Sequence, residues 1–507
     1  MRAKTWVSAM AATGAIAVLV GCSAPLPMVQ PAGGSINPMA VPAGLEDLYQ
    51  QQVEWSSCGS NFDCADVEVP MDYDDPAGET INIAVKRFNS TSDGEPLGTM
   101  FINPGGPGGS GIEMVESANI YFSGDLLAAY DIVGFDPRGV GESHGVRCYD
   151  DDELEELFSN RYDLDTDDGW VDYVEDNRAY GEACAERTGP LINFLDTVSA
   201  ARDLDVLRGT IGEETLTYFG FSYGTQLGAA YAELFPDRVG RLVLDGGVDP
   251  SLSYAQINAG QNDGFELAYR SYLADCLAGA ECPFTGDVDE AWDRTVSLLD
   301  ELAANPAPDP KDPDRPVTDS DLFGAIIVAM YSSESWPTLT AALAQYLNNN
   351  DPSTIRYMAD IASERADDGS YPEDKGAFGI ITCLDYPVET DRSAIEAEAD
   401  ALEEANDLFG PRFGYGEVGC MTMPFEATGE PHPIAAVGAA PIVVIGTTRD
   451  PATPYEWSQA LAEQLEEGVL LTYDGDGHTA YGASSCIDTP VDEFLIEGTV
   501  PTDGLQC

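Results

Sequence analysis

Residues 220–224 read Gly-Phe-Ser-Tyr-Gly. The apolar run Leu216-Thr217-Tyr218-Phe219 precedes them, and a helical stretch from Thr225 to Leu234 follows. A strand that becomes a helix through Gly-x-Ser-x-Gly must turn tightly. Small residues flank the serine, and the strain lifts the Ser222 hydroxyl clear of the sheet. A chain with this turn is constrained to a layered α/β architecture, with the serine at the carboxyl end of a strand. Five residues do not make a nucleophile by themselves. An acid and then a histidine have to follow in the chain.

Both follow. Pro441-Ile442-Val443-Val444-Ile445-Gly446 is a continuous apolar, β-branched run, the mark of a buried parallel strand. It ends in Thr447-Thr448-Arg449-Asp450-Pro451, which puts Asp450 just past the carboxyl end of a strand, where ligand-binding and catalytic groups gather in open α/β sheets. The next strand is Gly468 to Tyr473, and the loop after it, Asp474-Gly475-Asp476-Gly477-His478-Thr479, delivers His478. The chain has three histidines. His144 precedes the elbow in a Gly-rich turn, and His432 lies between prolines with no expected role, so His478 is the candidate base. Asp474 and Asp476 rival Asp450 as the orienting acid, but their closeness to His478 in sequence makes the far ring nitrogen hard to reach. In this arrangement the histidine takes the serine proton during attack on a carbonyl and returns it to the leaving group. The acid fixes the imidazole tautomer, and an acyl-enzyme forms that water resolves.

The run Asn103-Pro-Gly-Gly-Pro-Gly-Gly-Ser-Gly111 follows the strand-like Thr99-Met100-Phe101-Ile102. Its glycines let backbone approach a substrate. One oxyanion-hole N–H is expected from Gly105 or Gly106, the other from Tyr223, the residue after the serine. The spacing is not that of a phosphate-cradling loop opening a helix. A third strand, Tyr130 to Asp136, leads into Pro137-Arg138-Gly139-Val140-Gly141. Asp136 and Arg138 are expected to brace the active-site loops by an ion pair.

Taken together, these segments resemble the secreted tripeptidyl aminopeptidases, in the proline-iminopeptidase branch of the α/β-hydrolases. The resemblance rests on the 103–111 loop, Asp136-Pro-Arg-Gly-Val-Gly141, Thr197-Val-Ser-Ala-Ala-Arg-Asp-Leu-Asp-Val-Leu-Arg208, Gly220 to Gly224, Asp450-Pro-Ala-Thr-Pro454 and Gly477-His478. It runs from about residue 50 to the end. Iminopeptidases proper carry His-Gly-Gly-Pro-Gly in the oxyanion loop; here Pro104 replaces that histidine, which favours the tripeptidyl branch. The resemblance implies a serine exopeptidase that cuts peptide bonds near free amino termini. Such an enzyme needs an anion for the substrate ammonium. Ile380 to Pro387 resembles a family segment leading into the site, which makes Asp385 the candidate. Some envelope members of this family are described as carboxylesterases, so an envelope carboxylesterase or lipase using the same triad is the alternative. Neither reading calls for a metal or other cofactor.

At the amino terminus, Arg2 and Lys4 precede an apolar segment, Trp6 to Val20, too short for a comfortable membrane span. Leu19-Val20-Gly21-Cys22 resembles a lipobox, implying a signal peptide over 1–21 and lipidation of Cys22. The Pro-, Ala- and Gly-rich stretch that follows reads as a tether, over 22–45. The expected location is therefore secreted, lipid-anchored at the cell envelope or extracellular. Of eleven cysteines, ten remain beyond Cys22, an even number suited to an oxidising compartment. Near neighbours pair as Cys58–Cys64, Cys148–Cys184, Cys276–Cys282, Cys383–Cys420 and Cys486–Cys507, although sequence alone leaves connectivity open. The spacing is not that of a zinc site. The formal charge is −66, from 89 acidic and 23 basic residues. That surface repels nucleic acid and anionic membrane, so the membrane is met through the lipid alone. Acid surplus with scarce lysine also fits a salt-tolerant surface, which predicts a melting temperature that rises with salt.

The expected architecture is an α/β-hydrolase: a mostly parallel central sheet with helices on both faces and an inserted, mainly helical cap. The core is split into 46–250 and 431–507, with the cap over 251–430. Within the cap, Ala291–Ala304 and Asp321–Tyr331 show helical periodicity, and 305–316 is a Pro/Asp-rich surface loop. Oligomeric state is not readable.

Overall fold

The computed structural model describes residues 41–164 and 166–507. The expected leader at 1–21, Cys22 and the tether up to residue 40 lie outside the described residues. Ten strands form one sheet: β1 (Ser56–Gly59), β2 (Phe62–Pro70), β3 (Thr80–Phe88), β4 (Thr99–Asn103), β5 (Asp131–Phe135), β6 (Leu216–Phe221), β7 (Val239–Asp245), β8 (Ile442–Arg449), β9 (Gly468–Asp476) and β10 (Leu505–Gln506). Their order is β1-β2-β3-β5-β4-β6-β7-β8-β9-β10. The first three run antiparallel and join β5 antiparallel. Every pairing from β5 onward is parallel. This is the α/β-hydrolase arrangement.

The central strands are apolar throughout because both faces are covered. Alternate side chains point to opposite faces. Tyr218, Leu242, Leu244, Ile442 and Val444 pack in one cluster with Leu204, Leu227 and Leu461 of the helices on that side. Phe219, Val243, Val443 and Ile445 pack in the other with Phe494 and Leu495. Each such side chain contributes about 1.5–3 kcal/mol by leaving water.

Between β7 and β8 the described chain carries helices and no sheet strand, from Tyr254–Ala278 to Glu417–Met421. These helices have a core of their own, with Phe265, Tyr269, Trp292, Leu322, Leu339 and Phe409 in it. Two of them begin earlier than their apolar periodicity does. Val288–Ala304 starts at a capping box of Asp287 and Glu290, and Asp319–Met330 at one of Thr318 and Asp321. In both, a polar first turn is stabilised by side chains that accept its free N–H groups.

Two stretches depart from the sequence reading. The helices Asp151–Ser159 and Asp167–Thr188 leave the sheet before the elbow and pack on the inserted helices, where Trp170 meets Ile395 and Val418. Asp136 and Arg138 do not pair with each other. The Arg138 guanidinium donates to both oxygens of Asp203, at 2.6 and 2.7 Å, and to the carbonyls of Pro70, Met71 and Phe194. Asp136 instead accepts from Ser110 Oγ and from the N–H groups of Ile112 and Glu142. Arg138 is fully buried, and a planar fork is satisfied there by a second carboxylate two-handed, not by one two residues away.

Five disulfides join Cys58–Cys64, Cys148–Cys184, Cys276–Cys282, Cys383–Cys420 and Cys486–Cys507. No described helix is long and apolar enough to cross a membrane.

Candidate active site

Ser222 joins β6 to the helix Tyr223–Leu234 with φ 56° and ψ −125°, backbone that a residue with a side chain rarely adopts. The flanking glycines are required by space. A Cβ on Gly220 would lie 2.3 Å from the Gly224 carbonyl oxygen, and one on Gly224 2.8 Å from that of Asn103. The Ser222 N–H donates to the Asp245 carbonyl at the end of β7, at 2.8 Å. Its carbonyl accepts from the Thr225 N–H and hydroxyl.

Asp450 directly follows β8 and is almost wholly buried. Its Oδ1 accepts the N–H of Ala452 and of Thr453, both at 2.9 Å; its Oδ2 accepts the Thr479 N–H and the Thr453 hydroxyl, both at 3.2 Å. The structure brings His478 onto this carboxylate, with Nδ1 2.8 and 2.9 Å from its two oxygens. That contact assigns the proton to Nδ1 and leaves Nε2 as the acceptor. Burial works against the imidazolium, but the charge and hydrogen bond of Asp450, with Asp245 further off, hold the imidazole above its ordinary value. The rival acids are engaged elsewhere: Asp474 and Asp476 both pair with Arg449, at 2.8 and 2.7 Å.

The loop after β4 lies against the elbow. A Cβ on Gly105, whose φ is +100°, would sit 2.6 Å from the Phe221 carbonyl oxygen, 2.8 Å from Ser222 Cβ and 3.1 Å from the Tyr223 nitrogen. The Gly105 N–H itself donates to Asn103 Oδ1 at 3.0 Å. Among the described residues no acceptor meets the N–H of Gly106 or of Tyr223. Gly106 is therefore the better placed of the two loop candidates, with Tyr223 as the second donor.

The inserted helices roof these loops. The His478 N–H donates to the Tyr331 carbonyl at 2.9 Å, and the half-exposed Tyr331 ring stands edge-on to the imidazole, 5.3 Å away. Gln261 reaches the Ala452 carbonyl, and Ser271 donates to Asp476. Gly264 packs so closely on Pro451 that a Cβ would lie 2.7 Å from its carbonyl oxygen.

Asp385 is not brought to an open surface. It is buried at the end of the helix Ala377–Asp385, where Oδ1 accepts the Thr197 N–H at 2.8 Å and Oδ2 the Thr197 hydroxyl at 2.6 Å. The same hydroxyl meets the Tyr223 hydroxyl at 2.6 Å. Burial pushes the Asp385 carboxyl up to about 7, against those Thr197 bonds. Asp385 thus braces Tyr223 through Thr197, and the ammonium-binding role expected from sequence does not fit this placement. His432 pairs with Glu233, and His144 is an exposed turn residue with φ 64°. Three residues at the site escaped sequence reasoning: Thr453, Tyr331 and Asp245. Only Thr453 carries a signal, since a residue three past an aspartate in Asp-Pro-Ala-Thr can return an N–H and a hydroxyl to it.

Comparison with known proteins agrees in chemistry. Residues 406–507 match the family described as TAP-like protein. The serine protease Hip1 of Mycobacterium tuberculosis is 37% identical over 522 aligned residues, covering 98% of this chain and 96% of that protein. Carboxylesterase B of the same organism is 35% identical over 505, covering 95% of each. The tripeptidyl aminopeptidase of Streptomyces coelicolor is 29% identical over 477, covering 90% of this chain and 86% of its own length.

Proposed function

Because the chain belongs to the tripeptidyl aminopeptidase-like serine hydrolases of the α/β-hydrolase fold, we propose that it releases short peptides from free amino termini through Ser222, Asp450 and His478. The His478 Nε2 takes the Ser222 proton as Oγ attacks the scissile carbonyl. Asp450 holds the imidazolium that forms. The N–H groups of Gly106 and Tyr223 receive the developing oxyanion, a contact worth about 100- to 1000-fold in turnover per donor. His478 then gives its proton to the departing amine, and the same base draws a proton from water to release the acyl group. The observation that carries this reading is the convergence of two strand-end features. One is the Nδ1–carboxylate pair of His478 and Asp450; the other is a positive-φ serine beside N–H groups that meet no acceptor among the described residues.

The helices over 251–430 serve in this proposal as a cap that limits how much peptide can enter. Cleavage before Cys22 with lipid on its sulfur would hold the enzyme at the outer face of the membrane, in keeping with the oxidised cysteines. Release of a Cys22→Ser variant into the medium supports the anchor, and an unchanged membrane fraction rejects it.

The esterase reading has one observation in its favour, the 35% identity to Carboxylesterase B. A tripeptide arylamide, its N-acetylated form and short acyl esters separate the two. Amide cleavage that N-acetylation abolishes supports the aminopeptidase. Ester cleavage with no amide turnover replaces it with the esterase.

A further inference from the structure

Asp245 ends β7, is fully buried, and forms no ion pair with lysine or arginine among the described residues. A carboxylate so placed is costly unless its surroundings use it. Its backbone carbonyl accepts the Ser222 N–H at 2.8 Å. Its side chain accepts the Ala480 N–H with both oxygens, at 3.0 Å each, and the Tyr481 N–H at 2.8 Å. Those two residues follow His478 and Thr479 directly in the chain. Its neighbour Gly246, at φ +72°, donates its N–H to Ile445 of β8 at 3.0 Å. A Cβ on Gly246 would stand 3.0 Å from Thr453 Oγ1 and 3.3 Å from His478 Cε1. One stretch of two residues thus touches the nucleophile's turn, the strand that carries the acid and the loop that carries the base.

We propose that Asp245 is a positioning residue: it sets the His478 loop against the Ser222 turn. The proposal rests on the serine-hydrolase reading above. An asparagine would keep the shape but accept through one oxygen only, and would point an N–H2 group at backbone donors. Burial pushes the Asp245 carboxyl up to about 7, against the Tyr481 and Ala480 N–H bonds and the pull of His478. The groups facing His478 are Asp450 from the end of β8, Asp245 from the end of β7, and the Tyr331 phenol from the inserted helices.

The test compares the full chain with Asp245→Asn. Turnover of a tripeptide arylamide is measured from acid to alkaline pH, and active sites are counted with a fluorophosphonate. The expected result is kcat per active site lowered about 10- to 100-fold, as for loss of hydrogen bonds to a charged group. KM stays constant, a split between kcat and KM that a general loosening of the fold would not give. Wild-type kcat per active site, or a KM that changes as much as kcat does, overturns the proposal. Should Asp245→Asn not fold, Asp245→Glu keeps the charge and displaces the acceptor oxygens. A lowered kcat with an unchanged KM is then expected, and wild-type kcat overturns the proposal. A wild-type enzyme that the fluorophosphonate does not label rejects the hydrolase reading instead.

Discussion

The strand ends and the inserted helices meet at His478, but they hold it by different means. On the sheet side, position follows from backbone geometry. Ser222 sits in a turn that the space around Gly220 and Gly224 permits, and Asp450 is locked by four donors besides the imidazole. On the helical side, contact is made by single bonds: one carbonyl from Tyr331, one amide from Gln261, one hydroxyl from Ser271. That side is kept in shape by its own apolar core and by disulfides. Under the proposed function, the sheet side sets the chemistry and the helical side what is admitted.

Substitutions on the two sides should differ in size accordingly. Asp450→Asn, which leaves the loop filled but offers His478 the wrong partner, is expected to lower kcat about 10,000-fold with little change in melting temperature. A loss below about tenfold would mean that another acid serves. Gly105→Ala drives a methyl into the Phe221 carbonyl and Ser222 Cβ. Turnover should fall about 100- to 1000-fold, as if one oxyanion donor were lost, and steady-state kinetics on a folded variant would show it. On the helical side, replacing Cys383 and Cys420 together by serine removes the link between Ala377–Asp385 and Glu417–Met421. The expected cost is about 2–4 kcal/mol in urea unfolding, with kcat of the surviving native protein nearly unchanged. An equal fall in kcat would show that the two sides are not separable.

Much of the sheet side is legible in sequence, for a physical reason. Parallel strands buried on both faces read as unbroken runs, so β4 through β9 stand out, and residues just beyond them, Asp450 and His478, acquire an address. Near-neighbour cysteines also pair as expected. The rest depends on contacts that no local pattern records. β2, Phe62–Pro70, mixes Asp and Glu with apolar residues at a half-covered edge and does not stand out. Proximity in the chain points to an Asp136–Arg138 pair, whereas the buried partner of Arg138 is Asp203 on a distant helix. Asp385 follows a run that leads towards the site, yet its helix end turns inward to Thr197. Asp245 looks like an ordinary last residue of a strand, because its partners lie 235 and 236 positions away.

Two smaller effects refine the contrast. Tyr331→Ala keeps the carbonyl that His478 uses and deletes only the ring, so kcat/KM should fall about 3- to 10-fold, the worth of one aromatic contact. A fall of several hundredfold would move Tyr331 to the chemical side. Asp385→Asn concerns stability. A carboxyl near 7 in the folded chain, above about 3.9 when unfolded, contributes stability at acid pH and loses it as pH rises through about 7. The asparagine variant should therefore melt higher than wild type at pH 8, match it more closely near pH 5, and bind substrate with an unchanged KM. A raised KM would return Asp385 to the substrate.

The carbonyl of Tyr331 has an evolutionary corollary. It is the bond by which the roof grips the base, so a change that shifts residues 331–332 to admit a bulkier substrate also drags the imidazole. Relatives that diverge in preference should therefore leave this corner alone and diversify elsewhere in the helices. Directed-evolution libraries aimed at new selectivity would do best to spare it.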